Sequence, residues 1–271
     1  MKKKISKIAS VLLLVFLLLI LIGTSVMYFK QEKIVFAATS LPQDYKFDFK
    51  IPFEEKRLTA NDGTSLHGIH FKVENPKGVI LYFHGNAGDL SRWGNIASYF
   101  TTLQYDVLVI DYRTYGKSTG KIDEQKMLDD TQLWYDYLLN SYTEKNIVIY
   151  GRSIGTGFAV YLASKNKPRK VILETPFYNL KDVAKQKFSW IPFLDTLMKI
   201  KLNSNIYIRE VTSPIIIYHG TNDKIVSFRS GKKLAETVPK KQLTFITIPE
   251  ATHHNIGNFL EYTSTIEKSL K

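Results

Sequence analysis

No cysteine occurs among the 271 residues, which excludes a disulfide framework, a thiolate nucleophile and a Cys-ligated zinc site. Histidine is sparse, at six, and neither H-E-x-x-H nor any clustered His/carboxylate spacing is present, so no metal is implied. Internal repeats and low-complexity linkers are lacking as well. Gly155-Thr156-Gly157 is without the third spaced glycine of a dinucleotide fingerprint, and no Walker lysine occurs, so no nucleotide cofactor is called for. The net charge of +12 carries no basic helix or aromatic-interleaved segment of the kind that binds nucleic acid. Residues 1–33 hold six lysines and one glutamate, which is +5, and leave +7 scattered over the rest. Such a remainder is a solvated surface compatible with anionic headgroups.

What is present is 44% hydrophobic residues with 13% aromatics, ample for one sizeable core. Lys2, Lys3, Lys4 and Lys7 precede an uncharged stretch from Ile8 to Phe29 whose centre, Val11 to Ile22, is entirely apolar. At about 1.5 Å per residue it spans roughly 30 Å of hydrocarbon. A signal peptide has an h-region of only about 7–15 residues. Residues 1–30 read as a retained single-pass transmembrane anchor, with a cleaved signal peptide as the rival reading. The early lysines remain cytoplasmic and the rest faces outward, a bias diluted by Lys30 and Lys33. Residues 31–53 read as a connector that packs on the domain, because Phe36, Tyr45, Phe47 and Phe49 are too aromatic for a loose tether. The domain itself is assigned to 54–271.

Within it, Asn61-Asp62-Gly63 marks a hairpin, and the buried runs Gly78–Phe83, Tyr105–Ile110, Ile147–Tyr150, Lys170–Glu174, Ile215–His219 and Leu243–Ile248 alternate with helical stretches. That alternation requires a mostly parallel α/β sheet with right-handed crossovers. Thr175 to Ser213 breaks it with Phe177, Phe188, Trp190, Ile191, Pro192, Phe193, Leu194, Leu197 and Met198, and reads as a small cap with an apolar underside, against the plainer reading of a packed αβ connection. His67 and His70, on the hairpin, are packing or surface residues, and Asp111 and Arg113 are expected to tie down the loop 111–120 as an ion pair.

The chemistry centres on Gly151-Arg152-Ser153-Ile154-Gly155, a G-x-S-x-G elbow between the strand Ile147–Tyr150 and a helix. Glycines flank the serine because strand and helix pack too closely there for a β-carbon, which exposes the hydroxyl. The backbone N–H of Ile154 lies at the helix start, where an oxyanion would be held. The loop His84-Gly85-Asn86-Ala87-Gly88-Asp89 is the source of the second oxyanion N–H, assigned to Asn86; His84 is read as a loop-fixing residue. Asp223, in the loop after Ile215–His219, is the candidate acid, with Glu174 its rival one strand earlier. The base is one of the adjacent His253 and His254. A serine hydroxyl needs an imidazole to accept its proton and a carboxylate to orient that imidazole, and the order here is Ser, Asp, His.

These residues resemble the α/β-hydrolase superfamily over about 54–270. The likeness is greatest to the membrane-anchored serine hydrolases that include lysophospholipases, monoacylglycerol lipases and protein depalmitoylases, with serine aminopeptidase-like proteins as broader relatives. It is carried by His84-Gly85-Asn86-Ala87-Gly88, Asp111-Tyr112-Arg113-x-Tyr115-Gly116-x-Ser118-x-Gly120, the elbow, and His219-Gly220-x-x-Asp223. The family's Gly-His-Asn matches His253-His254-Asn255, which makes His254 the base and puts His253 in place of the glycine; Thr114 likewise replaces a family glycine. The resemblance implies an α/β-hydrolase fold with a mostly parallel eight-stranded sheet, helices on both faces, a small cap at about 175–213 and no cofactor. It further implies a triad of Ser153, Asp223 and His254 that cleaves esters or thioesters of acyl or lipid-like substrates through an acyl-serine, with a peptidase or amidase activity as the alternative.

Overall fold

The computed structural model describes residues 2–191 and 194–271. A single helix, α1 (Lys2–Val35), precedes eight strands: β1 (Phe53–Thr59), β2 (Ser65–Phe71), β3 (Val79–Phe83), β4 (Asp106–Asp111), β5 (Ile147–Arg152), β6 (Lys170–Glu174), β7 (Ile215–Gly220) and β8 (Leu243–Ile248). Between them run α2 (Leu90–Ala97), α3 (Glu124–Leu139), α4 (Gly155–Lys165), α5 (Leu180–Phe188), α6 (Leu194–Leu197), α7 (Ser204–Tyr207) and α8 (Phe228–Ala235), and α9 (Leu260–Leu270) follows β8. The strands form one sheet in the order β1-β2-β4-β3-β5-β6-β7-β8, in which β2 runs antiparallel to β1 and β4 and every later pairing is parallel.

Central strands are apolar on both faces because both are covered. In β3, Val79, Leu81 and Phe83 point to one core and Ile80 and Tyr82 to the other; Ile147 and Ile149 of β5 divide from Val148 and Tyr150 in the same way. The first core is closed by α3, α4 and α8, and the second by α2 and α9. Each such side chain removed from water contributes roughly 1.5–3 kcal/mol, which is what holds the register of the sheet. Helix starts are capped locally: Asp89 Oδ1 accepts from Ser91 N–H at 2.8 Å and Asp123 Oδ1 from Lys126 N–H at 3.0 Å.

The expected cap is an insertion of short helices, α5 to α7, with a core of its own in Ile191, Leu194 and Met198 packed by Phe188 and Leu197. Trp190 is 66% exposed, and Pro192 and Phe193 lie outside the described residues. At the other end, α1 does not stop at residue 30 but runs to Val35. Its stretch Lys7–Val26 has mean hydropathy 2.8 and no part buried, and it is the one helix among the described residues long and apolar enough to cross a membrane. Residues 36–41 then lie along the domain: Thr39 N–H donates to Gly88 O (3.1 Å) and Leu41 N–H to Gly116 O (2.8 Å), while Gly88 and Gly116 N–H return to Ala37 O and Thr39 O.

Candidate active site

The carboxyl ends of β5, β7 and β8 deliver Ser153, Asp223 and the two histidines to one edge of the sheet, where parallel α/β sheets bind ligands. Ser153 has φ +54°, the left-handed conformation that lifts its side chain off the turn. Its geometry is over-determined: Ser153 N–H donates to Glu174 O (2.9 Å), and Ser153 O accepts from Thr156 N–H (2.9 Å) and Thr156 Oγ1 (2.6 Å). A β-carbon on Gly155 would lie 2.1 Å from Phe83 O, and one on Gly151 2.7 Å from Gly155 O, so both flanking positions admit only glycine.

The structure corrects the choice of histidine. His253, not His254, lies between the other two groups, with Nε2 2.8 Å from Ser153 Oγ and Nδ1 2.8 Å from Asp223 Oδ2. With Nδ1–H donated to the carboxylate, Nε2 is left to accept the serine hydroxyl. His253 is buried and His254 exposed; the latter's carbonyl sits 3.4 Å from Arg152 Nη2. The cause is a local turn: Asn255 Oδ1 accepts from Thr252 N–H (2.7 Å) and Thr252 Oγ1 (2.9 Å), which aims residue 253 inward and 254 out. The family motif is therefore met one residue earlier, as Thr252-His253-His254.

Asp223 is buried; Ile225 and Val226 N–H each donate to its Oδ1 at 2.9 Å, and His219 Nε2 lies 3.5 Å from Oδ2. Burial pushes its carboxyl up, but the contacts with His219 and His253 and the amide of Ile225 outweigh it and hold the group well below the usual carboxylate range. Glu174, the rival acid, faces away from the histidines, with Oε2 2.6 Å from Tyr150 OH and Oε1 3.2 Å from Arg152 Nε. It braces the elbow from beneath.

Asn86 and Ile154, whose N–H groups donate to no protein group among the described residues, line one cavity with Ser153. The Asn86 peptide is held by Tyr115 OH, 2.6 Å from Asn86 O, and its side-chain Oδ1 accepts from Ala37 N–H at 2.7 Å instead of capping α2. His84 fixes this loop, as expected: Nδ1 is 2.7 Å from Gly85 O and the ring stacks on Trp93 at 5.5 Å. The expected Asp111–Arg113 pair is absent. Arg113 instead forks onto Asp130 (2.6 and 2.9 Å) and reaches Asp62 (2.7 Å), while Asp111 sits 3.4 Å from His84 Nε2. Burial pushes the Asp111 carboxyl up to about 6.

Ser153 opens into a cavity of about 430 Å³ whose walls are largely apolar, with Phe177, Leu180, Val183, Phe188 and Met198 from the cap side and Ile225 and Val226 from the loop after β7. Arg92, Lys187 and His254 stand on its lining, and no carboxylate does among the described residues. Burial, His253 and the guanidinium groups of Arg152 and Arg92 depress the pKa of His254. A larger cleft of about 550 Å³ lies away from these groups, and its Asp62, Arg113, Lys126 and Asp130 are paired with one another. The sequence reading missed Trp93, which lines the cavity under the Arg92 and Arg152 guanidinium groups at 5.0 and 5.4 Å, and missed Ile34 and Val35. An amphipathic period from Leu90 to Ala97 was the available signal for Trp93.

Residues 74–206 match the serine aminopeptidase, S33, family. A putative α/β hydrolase of Acanthamoeba polyphaga mimivirus is 31% identical over 209 residues, covering 73% of this chain and 76% of the relative. The lysophosphatidylserine lipase ABHD12 of Danio rerio is 33% identical over 184 residues, 60% of this chain; the chain spans 47% of that longer protein. The Pyrococcus furiosus esterase Pf2001 superposes with a TM-score of 0.69 at 19% identity, over 86% of this chain and 97% of the esterase. The chain belongs to the α/β-hydrolase superfamily and is a hydrolase.

Proposed function

We propose that the protein is a membrane-anchored serine hydrolase that cleaves carboxylic ester or thioester bonds of single-chain acyl substrates. The observation that carries this reading is the Ser153–His253–Asp223 line, 2.8 Å at each step, at the wall of an apolar cavity. Ser153 Oγ attacks the acyl carbonyl as His253 Nε2 takes its proton; Asp223 holds the imidazole and stabilises its cation. The N–H groups of Asn86 and Ile154 receive the oxyanion, each worth roughly 10²–10³ in kcat where such donors have been removed. His253 then protonates the leaving alcohol or thiol, and a water deprotonated by His253 releases the acid from the acyl-serine.

The apolar walls suit one acyl chain, in keeping with a relative that is a lysophosphatidylserine lipase. Arg92 and Lys187 favour an anionic head on the leaving group. The exposed stretch Lys7–Val26 is read as the anchor, and the lysines before it favour a hydrolase domain outside the cytoplasm. The aminopeptidase reading is weaker, because such an enzyme must hold a free ammonium group and no carboxylate lines the cavity among the described residues.

The test is hydrolysis of p-nitrophenyl esters of graded length by the full chain in detergent, beside Ser153→Ala and His253→Ala. Turnover that rises with chain length and vanishes in both variants supports the reading. Fluorophosphonate labelling of Ser153 without ester turnover moves the assignment to amides. Absence of both removes the proposal.

A further inference from the structure

The anchor does not merely tether the domain. Its last turn adds Ile34 and Val35 to the apolar lining of the cavity, beside the cap. Gln31 fixes them there: it is buried, its Nε2 donates to Leu197 O at 3.0 Å, and its Oε1 accepts from Lys199 N–H at 2.6 Å. Lys199 Nζ also lies over the Tyr28 ring at 4.6 Å, so the helix is bound to the cap by its side chains. One residue beyond the helix, Phe36 is buried against Tyr115 and Phe158, and the next, Ala37, donates its N–H to Asn86 Oδ1 at 2.7 Å. Ile34 lies eight positions beyond Val26, the end of the exposed apolar stretch. At about 1.5 Å per residue the cavity rim stands roughly 12 Å past that end, just beyond a headgroup layer of about 5–8 Å.

We propose that the end of α1 is a wall of the acyl site, so that Ile34 and Val35 set which acyl chains are accepted, and that the cavity takes single chains lifted out of the adjoining leaflet. This rests on Ser153 being the nucleophile, and the segment that anchors the protein thereby selects the substrate. Ile34 is 52% exposed, so its apolar side chain is open toward the arriving chain. A rim at that height selects one-chain lipids, because every methylene withdrawn from hydrocarbon costs free energy and a second chain doubles that cost.

The experiment measures the rate at which Ser153 is labelled by alkyl fluorophosphonates of two to sixteen carbons, using the full chain in phosphatidylcholine nanodiscs and the variants Val35→Trp and Ile34→Trp. Labelling by the shortest probe is expected to stay within about threefold of the natural chain, while the longest probe slows about tenfold or more, the discrimination available to one or two methylenes' worth of space. Where Val35→Trp does not fold, Val35→Ala serves, with long or branched probes gaining about threefold over short ones. A chain-length profile unchanged in Val35→Ala and Ile34→Trp, or a loss equal at every length, overturns the wall. No labelling of the natural chain at any length removes the nucleophile assignment and this inference together. Labelling without ester hydrolysis removes only the choice of substrate bond and leaves the wall to be judged on the profile.

Discussion

His253 and His254 differ by one position and by everything that a base requires, since only the first touches both a hydroxyl and a buried carboxylate. His253→Ala is expected to lower kcat by about 10⁴–10⁶, and His254→Ala by no more than about tenfold; a reversed pattern in ester turnover would restore His254 as the base. Nothing in composition or periodicity separates two residues inside a turn. The decision lies in the Thr252–Asn255 hydrogen bonds, and in Ala251 O receiving Asn222 N–H at 3.0 Å, which sets this loop against that of Asp223. Thr114 is a second case. It replaces a family glycine and adopts φ +73°, where a β-branched side chain is strained by about 1–2 kcal/mol. Thr114→Gly relieves that strain and gives back part of it as unfolded-chain entropy, so a gain of about 0.5–1 kcal/mol, or about 1–4 °C in Tm, is expected by thermal denaturation. An unchanged or lowered Tm would show that the loop holds the threonine without strain.

The elements that position the site were legible because each is long enough to carry a period or a punctuation mark. The runs at Val79, Ile147, Lys170, Ile215 and Leu243 fall within a residue or so of the observed strands, and Gly151 to Gly155 could only be an elbow where strand meets helix. The connector was legible as packed but not in where it packs, since its partners Gly88 and Gly116 bond through backbone groups that any sequence supplies. The Arg113 partnership was misread because Asp62 and Asp130 are 51 and 17 residues away, and only the fold brings them in. The elbow bears its own test at this scale. Gly155→Ala forces a methyl toward the backbone carbonyl of Phe83, at the centre of the sheet, where neither side can give way. A loss of about 1–3 kcal/mol in unfolding free energy is expected, together with slower labelling of Ser153 by a fluorophosphonate. Stability and labelling equal to those of the natural chain would mean that β3 and α4 can separate.

Acid stability belongs to the whole molecule, because the groups that decide it lie on different strands. His67, stacked on Phe47, and His70, packed beside Tyr137, are both pushed down to about 4 by burial. In the unfolded chain a histidine titrates near 6.5, so below that pH the unfolded state takes up protons that the native state refuses. The stability they confer is whole above about 6.5 and is lost progressively as the pH falls toward 4, by on the order of 3 kcal/mol each across the full window. Asp111 opposes them. With its carboxyl pushed up to about 6, the native state holds a proton that the unfolded state has released between roughly 4 and 6, so acidification there returns part of the loss. Asp223, held well below the usual carboxylate range, titrates in the native state only in stronger acid, while His254, depressed as well, adds to the loss on acidification. The balance is a fall of roughly 2–3 kcal/mol between pH 7 and pH 5 for the natural chain. His70→Phe, which keeps the ring and removes the proton site, should flatten that fall to about 1 kcal/mol or less. Denaturant midpoints of the full chain in detergent at the two pH values check it, and an equally steep fall in the variant would place the acid-sensitive groups elsewhere in the fold.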